Sequence, residues 1–147
     1  MVLTNQQKQK IEEIGQKHDL RFIILHGSQA VEKAHERSDV DIALLGKDRL
    51  LFPEVLELHG EFSGIFGDNQ KRELDIKTLE RADALFRYEV TKTGVLLFGD
   101  ALDYEEFKAY AYRVFTDSRD LRALELILLK KSIRSLAKRY ALDKLRQ

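Results

Sequence analysis

The residues with the types and spacing to do chemistry on phosphate are Gly27 and Ser28 in LHGSQ, Ser38, Asp39 and Asp41 in RSDVDIALL, and Asp75 in ELDIK. A glycine lets the chain turn sharply and lets a ligand approach the backbone. A serine at a helix start offers a hydroxyl and nearby free N–H groups to an anion. Asp39 and Asp41, two apart on an extended strand, project from one face and can share hard divalent ions, and Asp75 on a neighbouring strand would complete the cluster. Carboxylates gathered without a nearby base call for cations. Mg²⁺ takes near-octahedral oxygen coordination from a few carboxylates plus substrate phosphates, so such a cluster beside a Gly-Ser corner suits nucleoside triphosphate chemistry. Ser38 is placed to orient or cap near the metal. A Gly-Ser pair alone is common, and a D-x-D strand alone is usually a solvated edge. The meaning lies in the order: strand, Gly-Ser, ten intervening residues, D-x-D strand, then a third strand carrying one Asp.

Those residues need strands to hold them. RFIILH (21–26) is a short run of branched and aromatic residues that stops at Gly27-Ser28, which predicts a buried strand feeding a turn, followed by a short helix over 29–36. DVDIALL (39–45) begins with strict alternation and ends apolar, a second strand. ELDIKTL (73–79) alternates again, with Leu74 and Ile76 facing one way and Asp75 the other. Around these, Thr4 caps an amphipathic helix ending near His18. Leu51, Val55, Leu58 and Phe62 mark a helix over 50–62 with Pro53 in its first turn, and Gly64, Gly67, Asp68 and Asn69 a turn after it. Residues 80–91 read as a helix closed by Gly94, VLLFGD as a brief extended segment, and 104–140 as helical with a break near Asp117-Ser118. The fold class expected is α/β, a small mixed sheet flanked by helices with a C-terminal helical segment. It forms a single domain over 1–147 with its core at about 20–100 and helices at about 103–147.

Composition narrows the chemistry further. The chain has 147 residues and no cysteine, so a disulfide framework, a thiolate zinc site and a cysteine nucleophile are excluded, and the histidines are scattered. Any metal chemistry falls to carboxylates. No run approaches the roughly 20 apolar residues of a membrane span, and the first twenty residues lack the apolar core of a signal peptide, so a cytoplasmic location without a membrane partner is expected. Formal net charge is zero, with 25 basic and 25 acidic residues, which gives no overall electrostatic reason to bind nucleic acid. The balance is uneven: from Lys130 to Gln147, seven basic residues face only Asp143. That stretch is either a solvated helix face or a docking surface.

The pattern Gly27-Ser28, ten residues, Asp39-x-Asp41, with the third carboxylate at Asp75, resembles the signature of the polymerase beta-like nucleotidyltransferases. Within them it resembles the minimal nucleotidyltransferases of prokaryotes, which are often paired with a HEPN protein. The resemblance runs over roughly residues 20–120 and includes GVLLFGDALDYEEFKAYAYRVFTDSRD. One position departs: where the family has Arg-Gly after Gly-Ser-x-Ala, this chain has Val31 and Glu32. The resemblance implies two Mg²⁺ ions between Asp39, Asp41 and the triphosphate of ATP. It also implies a role for Asp75 in the metal that lowers the pKa of the acceptor hydroxyl, and Gly27 and Ser28 on the β- and γ-phosphates. It further implies an antitoxin that attaches AMP to a tyrosine of its HEPN ribonuclease toxin, with which it would form a hetero-oligomer. Two alternatives stay open: an antitoxin acting by binding alone, and a transferase acting on a small molecule or an RNA end. His26 reads as a packed strand-end residue rather than a general base. Lys77 reads as a solvent-exposed strand lysine that could instead meet a phosphate, and Tyr110, Tyr112 and Phe115 as helix aromatics able to present an interaction face.

Overall fold

Strands form where apolar side chains can be covered on both faces. Leu20–His26 (β1) and Val40–Gly46 (β2) are buried along almost their whole length, which is why FIIL and IALL read as continuous apolar runs rather than alternating ones. Leu74–Thr78 (β3) and Val95–Phe98 (β4) are shorter and half-buried, as edge strands are. The sheet order is β3-β2-β1-β4. β1 runs antiparallel to β2 and β4, whereas β2 and β3 are parallel, so the sheet is mixed. The structure is a computed structural model that describes residues 1–30, 39–70 and 72–145. Of the helix expected over 29–36, only Gln29 and Ala30 fall within them, at the end of a 3₁₀ turn over Gly27–Gln29. Ser38, Val31 and Glu32 lie outside the described residues.

The helices are α1 (Asn5–Lys17), α2 (Phe52–Phe66), α3 (Ala84–Thr93), α4 (Ala101–Asp117) and α5 (Arg119–Leu145). None of them, among the described residues, is long and apolar enough to cross a membrane. The chain forms two compact units, Met1–Tyr112 and Arg113–Gln147. In the first, Ile23, Leu25, Val40, Ile42, Leu44 and Leu74 of one sheet face meet Ile11 and Ile14 of α1 and Leu58, Phe62 and Phe66 of α2. The opposite face carries Phe22, Ile24, Ala43 and Leu45 against Leu79, Val90 of α3, and Tyr104 and Phe107 of α4. Each such large apolar side chain contributes about 1.5–3 kcal/mol on burial, so the two layers fix the sheet rigidly.

Local chemistry sets the helix ends. Thr4 Oγ1 accepts from the Gln7 N–H at 3.2 Å and Gln7 Oε1 accepts from the Thr4 N–H at 2.9 Å, a reciprocal capping box that starts α1 where the sequence predicts it. α2 runs on to Phe66, beyond the expected end at Phe62 and through Gly64. Leu58, Phe62 and Phe66 repeat at i, i+4, i+8, and their burial outweighs the roughly 1 kcal/mol that each helical glycine costs. α3 starts later than expected, at Ala84, because Asp83 accepts from the Phe86 N–H at 2.8 Å. The residues before it serve as a turn. Glu80 Oε1 accepts from the N–H groups of Gly46 and Leu50, and the Arg87 guanidinium donates to the carbonyls of Leu79 and Glu80 at 2.8 and 2.7 Å.

In the second unit the break at Ser118 is latched. Arg122 Nη1 donates to the Phe115 carbonyl at 2.6 Å and to Ser118 Oγ, and its guanidinium lies 3.9 Å from the Phe115 ring centroid. α5 then runs for 27 residues with its apolar side chains exposed.

Candidate active site

The strand registers bring three titratable side chains into one row across the sheet. His26, the last residue of β1, is opposite Asp41 of β2, and Asp41 is opposite Asp75 of β3 in the parallel ladder. Neighbouring strands lie about 4.8 Å apart, so Asp41 and Asp75 are direct neighbours. Strand alternation puts them on the face of Ala43 and Lys77, the next rung of the same ladder. Asp39 sits two residues before Asp41, immediately ahead of β2, and is exposed. Its Oδ1 accepts from the Glu73 N–H at 2.9 Å while the Val40 N–H donates to the Glu73 carbonyl at 2.9 Å, which fixes it at the entrance of the β2–β3 pair.

The turn after β1 closes on this row. Gly27 has φ +70°, and a Cβ built there would stand 2.2 Å from Asp41 Oδ2 and 3.0 Å from its Cγ. The backbone of the Gly-Ser turn therefore lies against the Asp41 carboxylate, and glycine is required both for the left-handed conformation and for the approach. Ser28 is exposed in the 3₁₀ turn, and Gln29 behind it is buried. Of the residues expected at the site, the structure brings Gly27, Asp41 and Asp75 together, with Asp39 and Ser28 at the margin.

His26, Lys77 and Phe86, of which only Phe86 had no sequence signal as a site residue, surround the two aspartates. The His26 ring is buried and meets Phe86 of α3 edge-on at 5.7 Å, so its packed-residue reading agrees with its surroundings. Burial pushes the His26 imidazole below its ordinary range; Asp41 draws it back up, Lys77 lowers it and Asp75 raises it. Lys77 Nζ is 2.8 Å from Asp75 Oδ2 and 5.6 Å from the Phe86 ring centroid. Its hydrogen bond to Asp75 holds the ammonium above the usual lysine range. Phe86 thus walls the site between His26 and Lys77, a role invisible in a helix read only for core spacing.

Charge distribution separates this site from the rest of the surface. Among the described residues no lysine or arginine forms an ion pair with Asp39 or Asp41, and Lys77 is the cation on Asp75. A different group of ligand-type atoms, those of His18, Glu57 and Glu61, lies within 4.8 Å of one another. There Lys17 Nζ bonds both glutamates, at 2.7 and 2.5 Å, and His18 Nε2 meets Glu61 Oε2 at 2.8 Å, so an ammonium already supplies the positive charge. That cluster ties α1 to α2. The aspartate row, with acid-only oxygen donors at one end of a sheet face and no space for a Cβ at Gly27, fits a hard oxygen-seeking cation.

Comparison with known proteins agrees with the geometry. The family model described as polymerase beta, nucleotidyltransferase matches residues 9–102. A Methanocaldococcus jannaschii protein, named provisionally as a protein adenylyltransferase, is 34% identical over 84 residues, which are 57% of this chain and 60% of that protein. This chain therefore spans less than two thirds of that relative's length. A chain in the crystal structure of a toxin–antitoxin complex with AMP-PNP superposes with a TM-score of 0.67 at 23% identity, over 86% of this chain and 98% of that one. A chain in the complex of tri-AMPylated Shewanella oneidensis HEPN toxin with MNT antitoxin superposes with a TM-score of 0.63 at 22% identity, over 87% and 97%. At such identities these two likenesses are likenesses of fold.

Proposed function

The chain belongs to the polymerase beta nucleotidyltransferase family, and we propose that it is an antitoxin that transfers AMP from ATP to a tyrosine of a cognate HEPN-type toxin in the cytoplasm. We read residues 1–147 as one nucleotidyltransferase domain, with its core at about 20–100 and helices at about 103–147. The observation that carries the reading is the pairing of Asp41 with Asp75 beside the backbone of Gly27. The relative's adenylyltransferase name and the AMP-PNP and AMPylated-toxin complexes support ATP as donor and a protein as acceptor.

Asp39, Asp41 and Asp75 are the residues to hold Mg²⁺, which supplies positive charge to the triphosphate and acidifies the acceptor hydroxyl. The chain's own contribution is positioning. Gly27 brings its backbone against Asp41, Ser28 offers its hydroxyl to the phosphates, and the Glu73 N–H and Lys77 orient Asp39 and Asp75 from the side. Phe86 and the buried His26 close the apolar wall and keep bulk water from one side of the row. In the reaction the acceptor oxygen bonds to the α-phosphorus, the bond from that phosphorus to the α–β bridging oxygen breaks, pyrophosphate departs, and the hydroxyl proton passes to solvent.

The test is incubation of the purified chain with Mg²⁺, α-labelled ATP and the HEPN-type protein encoded beside it, with the Asp39→Asn, Asp41→Asn double variant and an EDTA-treated sample as controls. Label on the HEPN protein that disappears in both controls is the expected result. A stable complex with no label under any nucleotide or divalent metal would overturn transfer and leave binding alone; label on a small molecule or an RNA end would overturn the acceptor.

A further inference from the structure

The aspartate row has a neighbour that the reaction as drawn does not use. Beside Lys77, the next residue after Asp75 on that face of β3, lies a depression of about 410 Å³ lined by Lys77, Thr78, Arg81, Ala82, Asp83 and Phe86. Lys77 and Phe86 belong both to it and to the wall of the row, since Lys77 Nζ is 2.8 Å from Asp75 Oδ2 and 5.6 Å from the Phe86 ring centroid. The depression therefore opens onto Asp75. Its place follows from the sheet order: β3 is an edge strand, so Asp75 is the outermost residue of the row, while the Gly27 turn closes on Asp41 one strand further in. A group seated in the depression meets the row from the side away from that turn. With the triphosphate at the turn, as the function proposed above has it and on which this inference rests, the group that enters here is the second reactant.

The lining indicates the chemistry of that reactant. Ala82 and the half-buried Phe86 ring form a carbon floor, the Lys77 ammonium stands at the end next to Asp75, and Arg81 is exposed at the rim. Asp83 is already engaged as the N-cap of α3, accepting from the Phe86 N–H at 2.8 Å. Aromatic rings pack with centroids about 4.5–7 Å apart, so a ring laid on Phe86 carries an oxygen at its far end toward Lys77 and Asp75. There the charge that gathers on the oxygen as its proton departs meets an ammonium already in place. A serine hydroxyl sits a single carbon from the main chain. To reach Asp75 it would press its peptide groups onto the Ala82 and Phe86 floor, which offers their N–H and C=O no partner. An RNA end would bring a phosphate with every nucleotide, against two cations of which Lys77 is already paired with Asp75. We propose that this depression is the acceptor pocket, that it selects a phenolic hydroxyl over an aliphatic one, and that Phe86 is the ring that determines the selection.

The test reads binding and transfer separately. The isotope-labelled full chain is titrated by NMR with N-acetyltyrosinamide and with N-acetylserinamide. In parallel, the HEPN-type protein encoded beside it is AMP-labelled while the concentrations of acceptor and ATP are varied in turn. The tyrosine compound is expected to shift the amide signals of residues 77–86, and the serine compound to leave them in place. Phe86→Leu, its folding verified by thermal melts, is expected to weaken that binding and to raise the KM for the acceptor, each on the order of 10-fold, with the KM for ATP unchanged. Phe86→Tyr keeps the ring and is expected to restore both. If Phe86→Leu does not fold, the titration of the native chain and the Phe86→Tyr kinetics decide. Shifts that avoid residues 77–86, an equal response to the serine compound, or a KM that rises for ATP instead of the acceptor would each overturn the pocket, and AMP label on the HEPN protein in the same samples leaves the transfer reaction standing. No label on any acceptor, together with binding of the tyrosine compound that depends on Phe86, removes the transfer reaction and leaves the phenol pocket.

Discussion

Replacing Gly27 by alanine tests the geometry of the site at its tightest point. Two penalties arise at one atom. Alanine held at φ +70° costs about 1–2 kcal/mol in backbone energy. Its Cβ would also fall 2.2 Å from Asp41 Oδ2, so the carboxylate has to retreat by about 1 Å or the turn has to open. The strain alone lowers Tm by roughly 2–8 °C in a chain of this size. The displacement acts on the reaction, where misplacement by about 1 Å lowers a rate on the order of 100-fold. The assay pairs thermal melts with AMP labelling, for Gly27→Ala in the native background and in Asp41→Ala. With the carboxylate gone the steric part vanishes and the strain remains, so Gly27→Ala should destabilise less in the Asp41→Ala background. An equal loss of stability in both backgrounds, or full labelling by Gly27→Ala, would refute the argument that this glycine exists to let the turn rest on Asp41.

Other consequences concern the frame around the site. Arg21 holds Asp103 through two hydrogen bonds, at 2.8 and 2.6 Å, and that pairing keeps the Asp103 carboxyl below the usual carboxylate range against a smaller opposing effect of burial. Because the folded pKa is the lower one, the pair's stabilisation is present above the unfolded value near 3.9 and is lost as pH falls through the folded pKa; for a half-exposed pair it is about 0.5–1 kcal/mol, and melts of Asp103→Asn against the native chain should converge in strong acid. Gly60 and Gly64 sit inside α2 with nothing within 4 Å of a built Cβ, so either changed to alanine should stabilise by about 0.5–1 kcal/mol in urea titrations. The Tyr104 hydroxyl is buried without a hydrogen-bond partner among the described residues, and burial pushes its pKa up to about 12. Tyr104→Phe keeps the edge-on contact with Phe22 at 5.4 Å and should be neutral or stabilising by up to about 1 kcal/mol, again by urea titration.

Local signals carried most of the elements, and non-local ones carried the site. RFIILH and DVDIALL announce strands because each is covered on both faces, and Thr4 announces α1 because an N-cap acts within the first turn; Gln7, which closes the capping box, is added by the structure. The break at Asp117-Ser118 is equally local, closed by Arg122 on Phe115 and Ser118. The late start of α3 has a local signal in its N-cap Asp83, but the place of Glu80 in the turn before it was not legible, since Glu80 is held by the N–H groups of Gly46 and Leu50, more than two dozen residues away in sequence. The parallel pairing that sets Asp41 against Asp75 cannot be read from either strand alone, and neither can the place of Phe86 between His26 and Lys77. The order of Gly-Ser, D-x-D and a third Asp named the residues; the registers supply their alignment.

The distribution of cations makes a last point about why those carboxylates sit where they do. The sequence holds equal numbers of basic and acidic residues, and where acids serve stability the chain matches them: Lys17 with Glu57 and Glu61, Arg21 with Asp103, Lys47 with Asp19. At the aspartate row it matches Asp75 with Lys77 and, among the described residues, gives Asp41 no ion-pair partner. Asp41 is half-buried beside Asp75, and among the described residues the ammonium of Lys77 is committed to Asp75. Two neighbouring carboxylates sharing one cation repel, so the fold retains a local instability that a purely structural strand would not keep. Asp41→Asn removes one of the like charges and leaves shape and the Gly27 contact in place. Melted in EDTA buffer, so that no divalent ion binds either protein, the variant should be more stable by roughly 1 kcal/mol, a rise in Tm of about 2–4 °C, while its labelling activity collapses. A lower Tm for Asp41→Asn in EDTA would mean that the carboxylate stabilises the fold, and the reason for assigning the row to chemistry would be gone.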